Sequence, residues 1–131
     1  MIILDTNALI WWSTAPEKLS KKARKTIDES IKKEYIFISS ISIWEVYLLV
    51  KKDKVELLLD IDSWLEKLEY LPFVKFIPVD NRIATHSVNL PDFEYKDPAD
   101  RIIIATALNL GAKLVTSDKR ILNYPHLQSI W

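Results

Sequence analysis

The stretch from Asp97 to Asp118, DPADRIIIATALNLGAKLVTSD, constrains the fold more than any other part of the chain. It predicts a helix that is capped by Asp97 and has Pro98 in its first position, because both residue types are typical of helix starts. Gly111, the only glycine in the chain, follows the apolar helical face and predicts the left-handed residue that ends this helix. The run from Lys113 to Thr116 then predicts a short strand.

The rest of the chain repeats this alternation of strands and helices. Further strands are predicted at Met1 to Leu4, Tyr35 to Ile38, Lys75 to Val79 and Leu127 to Trp131. Helices are predicted at Lys18 to Lys33, from an N-cap at Ser42, at Ile61 to Leu71, at Arg82 to Val88 and near Arg120 to Asn123. Strands joined by helical crossovers form a parallel sheet with helices on both faces. We therefore predict one α/β domain over residues 1–131 with a mainly parallel central sheet.

Composition excludes several classes of protein. The chain has no cysteine, so a disulfide framework and a cysteine zinc site are both impossible and a reducing compartment is expected. One glycine leaves no room for a phosphate-binding glycine-rich loop or a GxSxG elbow. No apolar run approaches the roughly 20 residues of a membrane span, and no signal peptide is evident. These features predict a cytoplasmic protein that does not enter a membrane.

Charge and histidine content bear on possible ligands. Lys plus Arg and Asp plus Glu both number 18, so no overall positive field attracts nucleic acid, although the charges are unevenly distributed. His86 and His126 are the only histidines and are predicted to lie at the surface. A metal would therefore be held mainly by oxygen, which favours magnesium or manganese.

Four acids are predicted to meet at one edge of the sheet. Asp5 and Asp118 follow strands, and Asp100 lies in the first turn of its helix. Glu45 belongs to the helix after the second strand. Ligands of such sheets bind beyond the carboxyl ends of the strands. Crowded carboxylates imply raised pKa values or a bound cation, and a divalent cation at such a site supports phosphodiester hydrolysis.

Each of these acids also has a purely structural explanation. The helix dipole accounts for Asp100, with Arg101 as a salt-bridge partner. A cap of the last helix accounts for Asp118, and a capping box with Ser42 accounts for Glu45. The four acids taken together, in this order, favour a site. By contrast, Asp97 and Asp80 are interpreted as helix caps only.

Four strings carry a family resemblance. In this order and spacing, MIILDTNALIWW, SISIWEV, DPADRIIIATAL and LVTSD resemble PIN-domain ribonucleases, specifically the VapC-type toxins of toxin–antitoxin pairs, from Met1 to Asp118. The resemblance implies an endoribonuclease that depends on Mg²⁺ or Mn²⁺ and attacks RNA with metal-activated water, leaving a 5′-phosphate and a 3′-hydroxyl. It also implies an RNA substrate, a homodimer, and a cognate antitoxin whose tail fills the active-site groove.

The resemblance assigns roles residue by residue. Asp5, Glu45, Asp100 and Asp118 fall on the family's acidic positions. Asp5 and Asp100 are the implied direct metal ligands, and the other two complete the site directly or through water. Thr6 and Thr116 match hydroxyl positions that orient the ligands, and Asn7 or Ser117 is placed to contact a phosphate. Near relatives often have histidine where this chain has Asn7.

Two alternative functions and the tryptophans complete the predictions. A binding module of the same fold would use the acids for a structural cation, and a receiver-like signalling domain would need an acid where the second strand ends in Ser39 and Ser40.

Trp11 and Trp12 are adjacent on one helix, so at least one is expected to be exposed to RNA or a protein partner. The remaining helical tryptophans, Trp44 and Trp64, are expected in the core. The lysine-rich surface of the helix from Lys18 to Lys33 is interpreted as a solvated face.

Overall fold

Five short parallel strands form the centre of the molecule. In the computed structural model, which describes residues 1–131, the strands are β1 (Ile2–Leu4), β2 (Ile36–Ser39), β3 (Val74–Ile77), β4 (Lys113–Val115) and β5 (Ser129–Ile130). They lie in the order β3-β2-β1-β4-β5, and every neighbouring pair is parallel. The predicted α/β fold with a parallel sheet is confirmed.

Seven helices and one 3₁₀ turn connect the strands and cover both faces. They are α1 (Thr6–Thr14), the 3₁₀ turn (Pro16–Lys18), α2 (Lys21–Lys33), α3 (Ser40–Lys51), α4 (Ile61–Tyr70), α5 (Asn81–Val88), α6 (Pro98–Leu110) and α7 (Lys119–Leu122). None of these helices is long and apolar enough to cross a membrane.

The sheet separates two hydrophobic cores. Side chains alternate along a strand, so Ile2 and Leu4 of β1 pack with α1 to α4, whereas Ile3 packs with α5, α6 and α7. All three side chains are buried, which explains why this central strand is apolar throughout. The strand ends at Leu4, so Asp5 follows directly at the carboxyl edge of the sheet.

The ends of α6 follow the sequence prediction. Asp97 caps the helix by accepting a hydrogen bond from the Asp100 N–H at 3.0 Å, and Pro98 is the first helical residue. Gly111 has φ +65° and ends the helix in the left-handed region, where a side chain is strained. Because this cap fixes where α6 begins, Asp100 lies in its first turn, beside the carboxyl edge of the sheet.

Two helix starts were predicted incorrectly. The helix predicted from Lys18 is interrupted, because Ser20 accepts a hydrogen bond from the Ala23 N–H at 3.0 Å and starts α2 at Lys21. Ser42 is not an N-cap. Instead, Ser39 accepts from the Ile41 N–H at 3.2 Å and starts α3 one turn earlier. Glu45 therefore has no capping box to complete.

The aromatic predictions were partly wrong. Trp64 is buried as expected, but Trp44 is 58% exposed instead of lying in the core. Trp11 and Trp12 are both half-buried, and the expected exposed member of the pair is absent. Trp11 packs on Trp131 with ring centroids 5.6 Å apart, and Trp12 packs on the ring of Phe73. These partners come from distant segments, so local spacing did not reveal them.

Candidate active site

The carboxyl edge of the two central strands carries the first pair of acids. Asp5 directly follows β1, is 7% exposed, and caps α1 by accepting a hydrogen bond from the Ala8 N–H at 2.8 Å. Its own N–H donates to the Val115 carbonyl of the neighbouring β4 at 3.1 Å. Asp118 follows that strand and caps α7 by accepting from the Arg120 N–H at 2.9 Å. Adjacent parallel strands thus bring two acids to one edge.

The other two predicted acids come from helices that pack against each other. Glu45 lies on α3 and Asp100 in the first turn of α6, and both residues are half-buried. The negative charges of Glu45, Asp5 and Asp118 all raise the pKa of Asp100. All four acids therefore belong to one electrostatic neighbourhood.

Burial is the main influence on the two innermost acids. It raises the pKa of Asp5 to about 6, despite opposing hydrogen bonds from the Thr116 hydroxyl and the Ala8 N–H. It also raises the pKa of Asp100 to about 7, with the charge of Asp97 as the next cause. Both acids are held in a place where a negative charge lacks an adequate counter-charge.

Glu45 shows the same tendency in weaker form. Burial raises its pKa, and so does the charge of Asp97, while the nearby hydroxyl of Thr6 lowers it. Asp97 was predicted only as a helix cap. The structure shows that it is also a fifth negative charge acting on this neighbourhood.

Asp118 is the exception among the four acids. Its hydrogen bonds to Arg120 lower its pKa, with Nε at 3.2 Å from Oδ1 and Nη2 at 2.9 Å from Oδ2. The guanidinium of Arg120 lies over the ring of Tyr95, 3.5 Å from its centroid. The sequence analysis did not predict the pair of Asp118 and Arg120. The available signal was the arginine that follows the acid by two residues.

The predicted supporting residues divide into buried and accessible ones. The Thr6 hydroxyl is buried and donates to the buried Ser42 hydroxyl at 3.1 Å, and that of Thr116 is buried and accepts from the Asp118 N–H at 3.1 Å. Asn7 is exposed and Ser117 is half-buried. The two threonines thus support the framework, and the other two residues are accessible to a ligand.

The predicted salt bridge between Asp100 and Arg101 does not form. Arg101 instead donates to the backbone carbonyls of Ser87, Val88, Phe93 and Tyr95, at 2.8 to 3.2 Å. His86 bonds through Nδ1 to Asn109 Oδ1 at 2.8 Å, and the exposed His126 pairs with Asp92. His126 lies at the surface as predicted, whereas His86 is half-buried.

The donor set suits a hard divalent cation in its chemistry. It contains only carboxylate and hydroxyl oxygens, and the raised pKa values of Asp5 and Asp100 show negative charge that a cation would stabilise. No three acidic or histidine side chains, however, stand at metal-ligand spacing in this structure. One of the four acids is also engaged within the chain, because Arg120 donates to both carboxylate oxygens of Asp118.

A wide apolar cavity lies elsewhere. It has a volume of about 700 Å³, lies between α1 and α4, and is lined mainly by apolar side chains such as Trp12, Leu58 and Trp64. None of the four acids lines it. No carboxylate or histidine lines this cavity, so the candidate active site is the acidic edge.

Comparison with known proteins assigns the family. The family model of the PIN domain matches residues 2–127. The chain belongs to the PIN-domain family. This PIN domain is 32% identical to Ribonuclease VapC22 of Mycobacterium tuberculosis, over 95% of this chain and 92% of the relative.

Solved structures agree with this PIN-domain fold. A chain of VapBC2 from Rickettsia felis, solved with a promoter DNA fragment, has a TM-score of 0.74 at 23% identity and covers 100% of this chain and 99% of its own. A chain of a toxin–antitoxin complex from Klebsiella pneumoniae has a TM-score of 0.67 at 24% identity, covering 100% and 97% respectively. At these identities the similarity supports the fold.

Proposed function

We propose that residues 1–131 form one PIN domain that acts as a metal-dependent endoribonuclease, the toxin of a toxin–antitoxin pair. The convergence of Asp5, Glu45, Asp100 and Asp118 at the carboxyl edge of the sheet carries this proposal. The 32% identity to a ribonuclease over most of the chain supports the same activity.

In this proposal the innermost acids hold the cofactor. Asp5 and Asp100 are the ligands of Mg²⁺ or Mn²⁺, and Glu45 and Asp118 complete the site directly or through water. The cation supplies an acidified water nucleophile and stabilises negative charge on the phosphate. Thr6 and Thr116 orient the acids.

Two accessible residues are assigned to the substrate. Asn7 is exposed after Asp5 and Thr6, and Ser117 precedes Asp118, so both lie beside the acids. We assign them to contacts with phosphate oxygens of the RNA. Cleavage then leaves a 5′-phosphate and a 3′-hydroxyl.

The proposed setting is a bacterial or archaeal cytoplasm, with a homodimer inhibited by a cognate antitoxin. The toxin–antitoxin complex among the similar folds supports an antitoxin as partner. The acidic edge of the sheet is the surface that an antitoxin tail would cover.

The test is cleavage of a cellular RNA pool by antitoxin-free protein, with Mg²⁺, with Mn²⁺ and with chelator. Asp100→Asn removes the proposed ligand and is expected to abolish cleavage. Asp80→Asn is the matched control, because Asp80 is an exposed helix cap that is not among the charges acting on Asp100. Discrete products with 5′-phosphates that need metal and Asp100, but not Asp80, support the proposal. Full cleavage by Asp100→Asn refutes the assignment of that acid.

The same acids would suit one alternative function, a non-catalytic PIN module in which they hold a structural cation. Metal binding measured on the same preparations, without RNA cleavage under any condition, would support that alternative.

A further inference from the structure

A small pocket opens beside the acidic edge, between the end of α3 and the start of α6. Its volume is about 210 Å³, and it is lined by residues that include Trp44, Glu45, Lys52, Lys54, Asp97 and Pro98. We call it the Trp44 pocket. It shares Glu45 with the candidate active site, so a molecule bound at the acids has direct access to it.

Trp44 differs from every other tryptophan of the chain. Trp11, Trp12 and Trp131 each pack against another aromatic ring. Trp64 is buried and donates its Nε1–H to Ser13 at 3.0 Å. Trp44 alone has no ring partner and no hydrogen bond, and it is 58% exposed. Its indole face is therefore available to a planar ligand.

The charges around this indole favour a polyanion. Lys52 and Lys54 line the pocket, are exposed, and form no ion pair. Lys51 adds a third exposed cation at the end of α3. Glu45 and Asp97 also line the pocket. Aromatic rings combined with unpaired lysines are the usual platform for single-stranded nucleic acid.

We infer that the Trp44 pocket is a nucleotide subsite for single-stranded RNA, in which Trp44 stacks on a base that flanks the cleaved bond while Lys52 and Lys54 contact the backbone phosphates. This inference rests on the proposed function, because it takes RNA as the substrate. It adds one base-stacking contact to a chain whose overall charge is balanced. Stacking on an indole tolerates every base, so Trp44 contributes affinity and positioning more than sequence choice.

The first experiment measures binding separately from cleavage. A fluorescein-labelled, mixed-sequence single-stranded RNA 12-mer is titrated, in Mg²⁺, with protein that carries Asp5→Asn to prevent hydrolysis. Adding Trp44→Ala is expected to weaken binding by about 5- to 100-fold, and Trp44→Phe by much less, because a phenyl ring still stacks. Tyr70→Ala is the matched control, since Tyr70 is an exposed aromatic that lines the apolar cavity instead. Its affinity should equal that of the parent.

A base-deletion series identifies the contact itself. An abasic nucleotide placed at each position in turn should weaken binding to the parent at one position, and that loss should disappear in Trp44→Ala. Lys52→Ala and Lys54→Ala should each lower the salt slope of binding by about one, whereas Lys32→Ala, on the exposed face of α2, should not.

The outcomes separate this inference from the proposed function. Trp44-dependent RNA binding by a wild-type chain that never cleaves RNA would support the subsite and refute the nuclease. RNA cleavage with Trp44→Ala binding like the parent would refute the subsite and support the nuclease. A Trp44→Ala variant that keeps RNA affinity but changes from dimer to monomer in light scattering would make Trp44 a subunit contact and refute the inference. Equal losses in Trp44→Ala and Tyr70→Ala, or no RNA binding by the parent, would also refute it.

Discussion

At the scale of single residues, the environments of the acids shift their pKa values in opposite directions. Burial raises the pKa of Asp5 and of Asp100, whereas hydrogen bonds from Arg120 lower that of Asp118. The first two acids carry charge that the fold does not compensate, and the third is compensated within the chain. Cation binding should therefore relieve the first two and compete with Arg120 for the third.

Replacement of Asp5 should abolish activity and increase the stability of the metal-free fold. Asn keeps the cap acceptor for the Ala8 N–H but carries no charge. The native pKa of about 6 lies above the ordinary 3.8, so ionised Asp5 destabilises the metal-free fold, by up to about 3 kcal/mol. Asp5→Asn should lose RNA cleavage while gaining about 1–3 kcal/mol of unfolding free energy near neutral pH, measured by urea denaturation in chelator.

A matched variant tests the cause of that gain. Asp80 is also an N-cap, accepting from the Ile83 N–H at 2.8 Å, but it is exposed. Asp80→Asn should leave stability almost unchanged. An equal gain in both variants would show that capping chemistry, and not burial of charge, is responsible.

Removal of Arg120 should tighten metal binding. Arg120 occupies both oxygens of Asp118, so a cation must displace the guanidinium from at least one of them. Arg120→Met should therefore bind Mn²⁺ about 3- to 10-fold more tightly by calorimetry, because the cation no longer competes with an exposed ion pair. Lys119→Met removes the same charge one residue away and is the control. Unchanged or weaker Mn²⁺ binding in Arg120→Met would contradict competition.

At the scale of elements, one side chain joins α5, α6 and the loop between them. Arg101 on α6 donates to two carbonyls at the end of α5 and to two in the loop that leads to Asp97. A planar guanidinium with several fixed donors suits this arrangement, and an ammonium does not. The position of the first turn of α6, which carries Asp100, depends on this contact.

Arg101→Lys should loosen this region although the charge is kept. Several buried or half-buried carbonyls lose their donors, which should cost about 2–4 kcal/mol of unfolding free energy. Hydrogen exchange should become faster in residues 89–97. Arg82→Lys, on an exposed part of α5, serves as control. Wild-type exchange in residues 89–97 of Arg101→Lys would show that the loop is held by its apolar contacts instead.

At the scale of the whole molecule, the acids couple folding to pH and to metal. Asp5 and Asp100 have higher pKa values in the folded chain than the ordinary 3.8. The folded state therefore holds more protons than the unfolded state between about pH 4 and about pH 7. Stability from this source is present at low pH and decreases as pH rises through that range.

The metal-free protein should accordingly melt at a lower temperature near pH 8 than near pH 5. Mg²⁺ or Mn²⁺ should raise the melting temperature most at the higher pH, because the proposed ligands are the ionised acids. Scanning calorimetry in chelator and in metal measures both effects. The Asp5→Asn/Asp100→Asn double variant should show a flatter profile in chelator, and an unchanged profile would place the pH dependence elsewhere.

Much of this architecture was predictable because its causes are local. Caps and turn residues act within about four positions, so Asp97, Pro98 and Gly111 marked the bounds of α6 correctly. Apolar runs predicted the strands to within a few residues, and their alternation with helices predicted the parallel sheet and the edge at which the four acids lie.

The errors arose where two local signals competed or where a distant segment decided. Ser39 and Ser42 both suit an N-cap, and the buried hydrogen bond from Thr6, 36 residues away, engages Ser42 instead. Trp44 is a large apolar residue of the kind usually found in a core, but its position on α3 exposes its side chain to solvent beside the acids. Neither result follows from spacing along the chain.

The sequence by itself determined the order of strands and helices, the helix caps and the set of acids, because these depend on residues near one another in the chain. Only the tertiary structure decided that Arg101 clamps a loop, that Arg120 stacks on Tyr95, and that Trp44 stands open beside the acidic site. Those features depend on which faces of separate elements pack together. Packing is a property of the assembled fold, since each contact joins segments whose spacing in the sequence carries no signal of their distance in space.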